Sequence, residues 1–194
     1  MKKTIFCIVF IILISLLQKN RENLSSISKN DINTLGEVYV HGLGNYSEYD
    51  VKTIIKGVTK FYNLKCYYSD PYPLDSRFYD SEKKIIYGRN FLRTLISEKN
   101  YHIFVTDYGL CEDQFKIGLI SGHGYINGKI SVISTKQMYR NNHYNEQNLI
   151  NTANHELGHN FGLRHCSDSE CLMTAKGLEP SEFCDNCKKN LNLK

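Results

Sequence analysis

The chain has 194 residues, 41% of them hydrophobic and 23% charged, and a formal net charge of +4. That balance excludes a disordered, acidic or collagen-like protein and suits one compact domain with its own core. Four of the 7 cysteines and three of the 7 histidines crowd into residues 155–187, and most of the functional argument follows from that clustering.

In chain order, residues 1–23 come first. Lys2 and Lys3 precede an apolar run from Thr4 to Leu17. A positive segment before a short apolar one is the layout of a secretory signal peptide. A stable spanning helix needs about 20 apolar residues, more than this run provides. No A-x-A cleavage pattern follows, so a removed signal peptide and a retained anchor through residues 4–17 both stay open. Either way the expected location is outside the cytoplasm, secreted or periplasmic. Cutting after about Asn23 would remove four positive charges and one negative, taking the net charge from +4 to +1. A near-neutral domain without a basic stripe argues against nucleic acid as a partner. Residues 24–36 read as a linker and 37–194 as the domain.

Within the domain, Glu37–Val40 reads as a strand, and Asp50 as the N-cap of a helix running to about Tyr62, with Val51, Ile54, Ile55 and Val58 on one face. Leu64–Tyr68 is a second strand. Residues 69–81 hold Pro71, Pro73 and several Asp and Ser, the composition of a loop. Glu82–Glu98 reads as a helix with Ile85, Ile86, Phe91, Leu92, Leu95 and Ile96 inward, and Tyr101–Thr106 as a third strand. Lys116–Ile126 and Lys129–Ser134 flank Asn127-Gly128, a strong hairpin signal. The order βαβαβ, then hairpin, then helix predicts an α/β (α+β) layer: a mostly parallel five-stranded sheet with an antiparallel edge strand.

The next helix carries the chemistry. Asn148–Phe161 places Ile150, Ala153, Leu157 and Phe161 in one stripe, and puts His155 and His159 one turn apart on a common face. Two imidazoles so placed can bind one Zn²⁺ at about 2.0–2.1 Å. Glu156, beside the first ligand, reaches a metal-bound water without being a ligand. Gly162 suits a sharp turn past the helix end, which returns His165 to the same metal. Three neutral histidines leave a position for water, the open arrangement of a catalytic zinc.

Cys166, Cys171, Cys184 and Cys187 form two close pairs separated by twelve residues, the spacing of a structural Cys₄ zinc site. Two disulfides are the alternative, favoured by an oxidising compartment. In an exported protein Cys66 and Cys111 are candidates for a further bridge. Met173, two residues after Cys171, is placed for a role beneath the metal. His41, His102, His123 and His143 read as ordinary exposed histidines.

With these residues in hand the sequence resembles the archaemetzincins, a branch of the metzincin zinc metallopeptidases. HELGHNFGLRHC is followed by four residues, then Cys171-Leu172-Met173, ten residues and CDNC. The resemblance implies a metzincin-like upper subdomain over residues 37–162 and a small zinc-braced lower one over 163–194. It implies two zinc ions. His155, His159 and His165 would hold the catalytic one, with Glu156 as general base and Met173 as the Met-turn. Cys166, Cys171, Cys184 and Cys187 would hold the structural one. It implies peptide-bond hydrolysis, with a peptide or protein substrate lying along an edge strand near residues 116–124, in a protein expected to be a monomer. The spacer after Met173 is several residues shorter than usual for that family, and an export signal departs from a family found mainly inside cells. A non-catalytic double-zinc adaptor is the alternative; intact Glu156 counts against it.

Overall fold

In β1, Val38–Leu43, Val38 and Val40 are fully buried while Tyr39 and His41 are half-buried, the period-two signature of a strand with two unlike faces. The computed structural model describes residues 36–95, 99–116, 118–140, 143–175 and 180–191, all within one compact unit. Residues 1–23 and most of the linker lie outside the described residues. No described helix is long and apolar enough to cross a membrane.

The elements are β1, α1 (Glu48–Tyr62), β2 (Cys66–Tyr72), β3 (Tyr79–Asp80), β4 (Ile85–Tyr87), α2 (Gly88–Thr94), β5 (Tyr101–Thr106), β6 (Gly109–Cys111), β7 (Gly122–Gly124), β8 (Ile130–Ser134), β9 (Tyr139–Arg140), β10 (His143–Tyr144), α3 (Glu146–Asn160) and α4 (Asp185–Asn190). The main sheet runs β2-β1-β5-β8-β7. The first four strands are parallel, and β7 is antiparallel to β8. This is the expected mostly parallel sheet with an antiparallel edge.

Alternating side chains send the sheet into two cores. Ile103, Val105 and Ile133 join Val51, Ile54 and Val58 of α1 and Leu149, Ala153 and Leu157 of α3. Phe104 and Val132 point the other way, to Phe78, Ile86, Phe91 and Leu110. Each buried large aliphatic contributes about 1.5–3 kcal/mol of burial free energy. The two helices are further tied by Tyr62, whose hydroxyl donates to the Asn154 carbonyl at 2.6 Å.

Several local readings differ from expectation. Residues 82–98 do not form one helix: Ile85–Tyr87 is a strand and the helix spans only Gly88–Thr94. The β-branched pair Ile85-Ile86 finds partners on both sides, antiparallel in β3 and parallel in β6, and that pairing overrides the helical periodicity. Ile96 lies outside the described residues. The supposed loop is partly strand, since β2 extends through Pro71; β2 is an edge strand, where a missing N–H is tolerated. The N-cap of α1 is Ser47, not Asp50, which is buried and accepts a hydrogen bond from the Tyr144 hydroxyl. The strand expected over 116–126 shrinks to three residues, and its turn is closed by the Gly128 N–H donating to the Tyr125 carbonyl at 2.8 Å.

His41 and His102 are half-buried, not exposed. His41 Nδ1 donates to the Asp70 carbonyl at 2.9 Å, so its Nε2 must accept from His102 Nδ1, 3.0 Å away. The pair links β2, β1 and β5 and stacks between Tyr39 and Phe104. Burial lowers both histidines below their usual value; the Asp70 carbonyl opposes this for His41, and the His41 charge adds to it for His102. The unfolded chain therefore binds protons first, and stability is lost as pH falls below about 6.5. Urea midpoints at pH 5 and 7.5 should differ more for the wild type than for His102→Phe. An equal loss in the two proteins would exclude this pair as the source. The side chain of His143 lies outside the described residues.

Candidate metal centres

The helix α3 begins at Asn145, whose side-chain oxygen accepts the Asn148 N–H at 2.9 Å, an N-cap that fixes the helix phase. One face carries Leu149, Ala153 and Leu157 into the core, and from the helix His155, Glu156 and His159 are all buried. The chain then turns at Gly162, whose φ of +99° favours glycine. The turn brings exposed His165 back beside the other two, with ring centroids 4.7, 4.9 and 5.4 Å apart.

Backbone carbonyls set the orientation of the two helical histidines. His155 Nδ1 lies 2.7 Å from the Leu172 carbonyl, and His159 Nδ1 lies 2.8 Å from the Leu163 carbonyl. A carbonyl only accepts, so both Nδ1 atoms carry the proton and both Nε2 lone pairs are left for a ligand. One ring nitrogen from each of the three histidines falls in a group spanning at most 4.8 Å. Tetrahedral zinc at its usual bond lengths needs nitrogens about 3.3 Å apart, within reach of that group. Burial pushes His155 down to about 4, opposed by the Leu172 carbonyl and reinforced by His159 and His165. Burial lowers His159 as well. Neutral imidazoles are the form that binds a metal.

The Glu156 side chain lies against the edge strand. Burial pushes its carboxyl up to about 8, opposed by a hydrogen bond from the Gly124 N–H. The fit is close enough to explain the sequence Gly122-His123-Gly124. A Cβ at Gly122 would fall 2.6 Å from Glu156 Cγ and 2.7 Å from Oε1. His123, on the alternate face, turns toward Gly88 and stacks edge-on against Tyr125. It is half-buried rather than exposed, and its Nε2 has no hydrogen-bond partner among the described residues.

The four clustered cysteines also converge, with sulfurs within 4.8 Å of one another. Cys166 Sγ lies 3.8 Å from Cys184 Sγ, and Cys171 Sγ 3.7 Å from Cys187 Sγ. A disulfide would hold the sulfurs at about 2.05 Å. Four thiolates at about 2.3 Å from one zinc stand about 3.8 Å apart, so these residues fit the metal. Backbone N–H groups of Cys184 and Met173 donate to Cys171 Sγ, and that of Cys187 donates to Cys184 Sγ. The latter lowers the Cys184 thiol; burial raises Cys171 and Cys187. Cys66 and Cys111 are free thiols, so the bridge considered between them is not formed.

The two clusters share a chain segment. Cys166 follows His165 directly, and its N–H donates to the Met173 carbonyl at 2.8 Å. Met173 is fully buried and packs against Gly158 under α3. Leu172, whose carbonyl anchors His155, sits between Cys171 and Met173. The sequence motif marks every clustered residue. What it does not mark are the two orienting carbonyls and the edge-strand glycines; the only trace of the latter is a pair of glycines around one histidine.

Residues 69–166, half of the chain, match the model of the reprolysin-like metallopeptidases of family M12B. The chain is 26% identical to the archaemetzincin of Natronomonas pharaonis over 167 residues, 73% of this chain and 94% of that one. It is 30% identical to the archaemetzincin of Aeropyrum pernix over 116 residues, 49% of this chain and 63% of that one. Its fold is similar to the crystal structure of the Archaeoglobus fulgidus archaemetzincin complexed with malonate, with a TM-score of 0.69 at 19% identity, covering 79% of this chain and 99% of that one. It is equally similar to the Methanopyrus kandleri archaemetzincin, with a TM-score of 0.68 at 19% identity, covering 82% and 95%.

Proposed function

Since the chain belongs to the reprolysin-like metallopeptidases of family M12B, and is an archaemetzincin-like zinc metallopeptidase, we propose that Glu156 is its general base and that His155, His159 and His165 hold its catalytic zinc. The observation that carries this reading is the convergence of three imidazoles, with buried Glu156 next to the first of them on the same helix. A zinc ion held by His155, His159 and His165 would supply Lewis acidity toward the scissile carbonyl and the attacking water. Glu156 takes the proton from that water and delivers it to the departing amine. The Gly124 N–H holds the carboxylate against the edge strand, and the carbonyls of Leu163 and Leu172 keep two imidazoles in the ligand tautomer.

A metallopeptidase acts on peptides, and β7, the last strand of the main sheet, offers them an edge on which the Gly124 N–H is already taken by Glu156. An extended substrate adds to that edge as a strand, gaining main-chain hydrogen bonds with little side-chain selectivity. The pairing stretch is narrower than residues 116–124, because only Gly122–Gly124 is strand. In this reading a second zinc sits among Cys166, Cys171, Cys184 and Cys187 and braces the segment bearing His165. The near-neutral domain charge and positive N-terminal layout support an exported protein without a nucleic-acid partner.

Incubating the purified protein with a mixed peptide library, with mass-spectrometric readout, tests the proposal. Cleavage that needs zinc and is lost in Glu156→Ala supports it; cleavage that survives the substitution removes Glu156 from its role. A subtler variant checks the edge strand. Gly122→Ala forces the Glu156 carboxyl aside, and a displacement near 1 Å costs about a hundredfold in kcat/KM. Unchanged kcat/KM with a folded far-UV spectrum would show that this contact does not position the base.

A further inference from the structure

The peptidase site lies at the free edge of the sheet, beside β7. Open α/β sheets more often bind ligands elsewhere, in the crevice beyond the carboxyl ends of two neighbouring parallel strands whose onward connections leave in opposite directions. Here those strands are β1 and β5: from β1 the chain runs through α1 to β2 on one side, and from β5 it runs to β8 on the other. A concave space of about 350 Å³ occupies that position, lined by Asn45 after β1, Asp107 and Tyr108 after β5, Lys136 after β8, and Lys83 and Lys84 before β4. The volume is at the lower end of small-molecule sites.

The floor is fixed. The Asp107 N–H donates to the Asn45 carbonyl at 2.9 Å, and the Asn45 amide donates to the Asp107 carboxylate, which occupies that carboxylate within the floor. Three exposed lysines from two separate stretches of chain line the crevice. Lys83 is shared with Asp80 at 3.0 Å. Lys84 and Lys136 have no carboxylate partner among the described residues. Lys84 holds a left-handed φ of +54°, with its carbonyl accepting the Gly109 N–H at 3.0 Å, a backbone state uncommon for lysine. No arginine lines the crevice, so the planar fork that suits a carboxylate is missing; compact point charges suit a tetrahedral dianion.

We propose that this crevice binds a phosphate-class dianion, either inorganic phosphate or the phosphoryl group of a small phosphomonoester, through Lys84 and Lys136 with Lys83 assisting. It is a second site, separate from the metal centres. The test uses the full zinc-loaded chain, titrated with inorganic phosphate and, in a parallel arm, with phosphoserine against serine. Binding is read by calorimetry and by amide shifts at Tyr108 and Gly109. Saturable binding is expected, weakened at least tenfold in Lys84→Gln/Lys136→Gln, with peptide cleavage in phosphate-free buffer unchanged. Binding of phosphoserine but not phosphate assigns the site to a monoester; equal binding assigns it to the free ion. Phosphate affinity unchanged in the double variant would place the anion on the metal centres and overturn the proposal. So would the absence of saturable binding tighter than about 10 mM. Either single variant serves the same comparison if the double variant fails to fold.

Discussion

Glu156→Gln is expected to lower kcat by about 10²–10⁴-fold while leaving the zinc content unchanged. The amide matches the carboxylate in size and keeps an oxygen to accept the Gly124 N–H, so the edge strand and α3 stay where they are. It cannot take a proton from water. His155 and His159 keep their carbonyl anchors at 2.7 and 2.8 Å, and the metal-binding nitrogens remain aimed at one point. KM should therefore move little, since substrate pairing with β7 uses main-chain groups. Stopped peptide hydrolysis with unaltered metal analysis and melting temperature is the expected combination. Loss of zinc together with activity would mean instead that Glu156 builds the site rather than acting in it. Full activity in the variant would end the proposed mechanism.

Much of this site is legible before any coordinates, because each clustered residue advertises itself locally. His155 and His159 are one helical turn apart, Gly162 marks the stop, and His165 lies just beyond it. Four cysteines in two close pairs mark a second cluster in the same way. The mostly parallel sheet is legible too, since Val38, Val40, Ile103 and Val105 alternate along strands separated by a helical pattern. What has no local signature depends on contacts between distant segments. Ile85 and Ile86 have a spacing that suits a helix and become strand only because Tyr79, Asp80, Leu110 and Gly109 lie alongside. Tertiary pairing decided that outcome against local periodicity. The glycines at 122 and 124 look like flexible punctuation in sequence; their meaning is a carboxylate that arrives from α3, some thirty residues later in the chain. The orienting carbonyls of Leu163 and Leu172 have no side-chain signature at all. Ordinary-looking His41 and His102 likewise acquire a shared proton only because β1 and β5 are neighbours.

Cys187→Ala should halve the zinc content, from two ions to one, and lower the melting temperature by about 8–16 °C. The second figure follows from a loss of about 4 kcal/mol, the scale of a deleted structural metal, at 2–4 °C per kcal/mol for a chain of this size. Cys187 is one buried member of the large core that α1, α3 and the sheet also build, and the rest of that core remains, so the fold should persist below the lowered melting temperature. Activity should nevertheless fall, because the braced segment carries catalytic parts at both ends. Cys166 is covalently next to His165, and Leu172, which anchors His155, is next to Cys171. Cys111→Ala is the control: that thiol is buried but free and lies on β6, outside the main sheet and the cysteine cluster, so its loss should cost about 1 kcal/mol and no zinc. Reductant separates metal from disulfide. On the zinc reading the sulfurs, 3.7–3.8 Å apart, are already reduced, so dithiothreitol should leave the wild type unchanged, whereas a chelator that strips the second ion should reproduce the variant. If dithiothreitol destabilises the protein and only one zinc is ever found, the pairs are bridges. His165 would then be held by covalent staples whose integrity depends on the redox state of the compartment, and the brace on the active site would be a redox-dependent one.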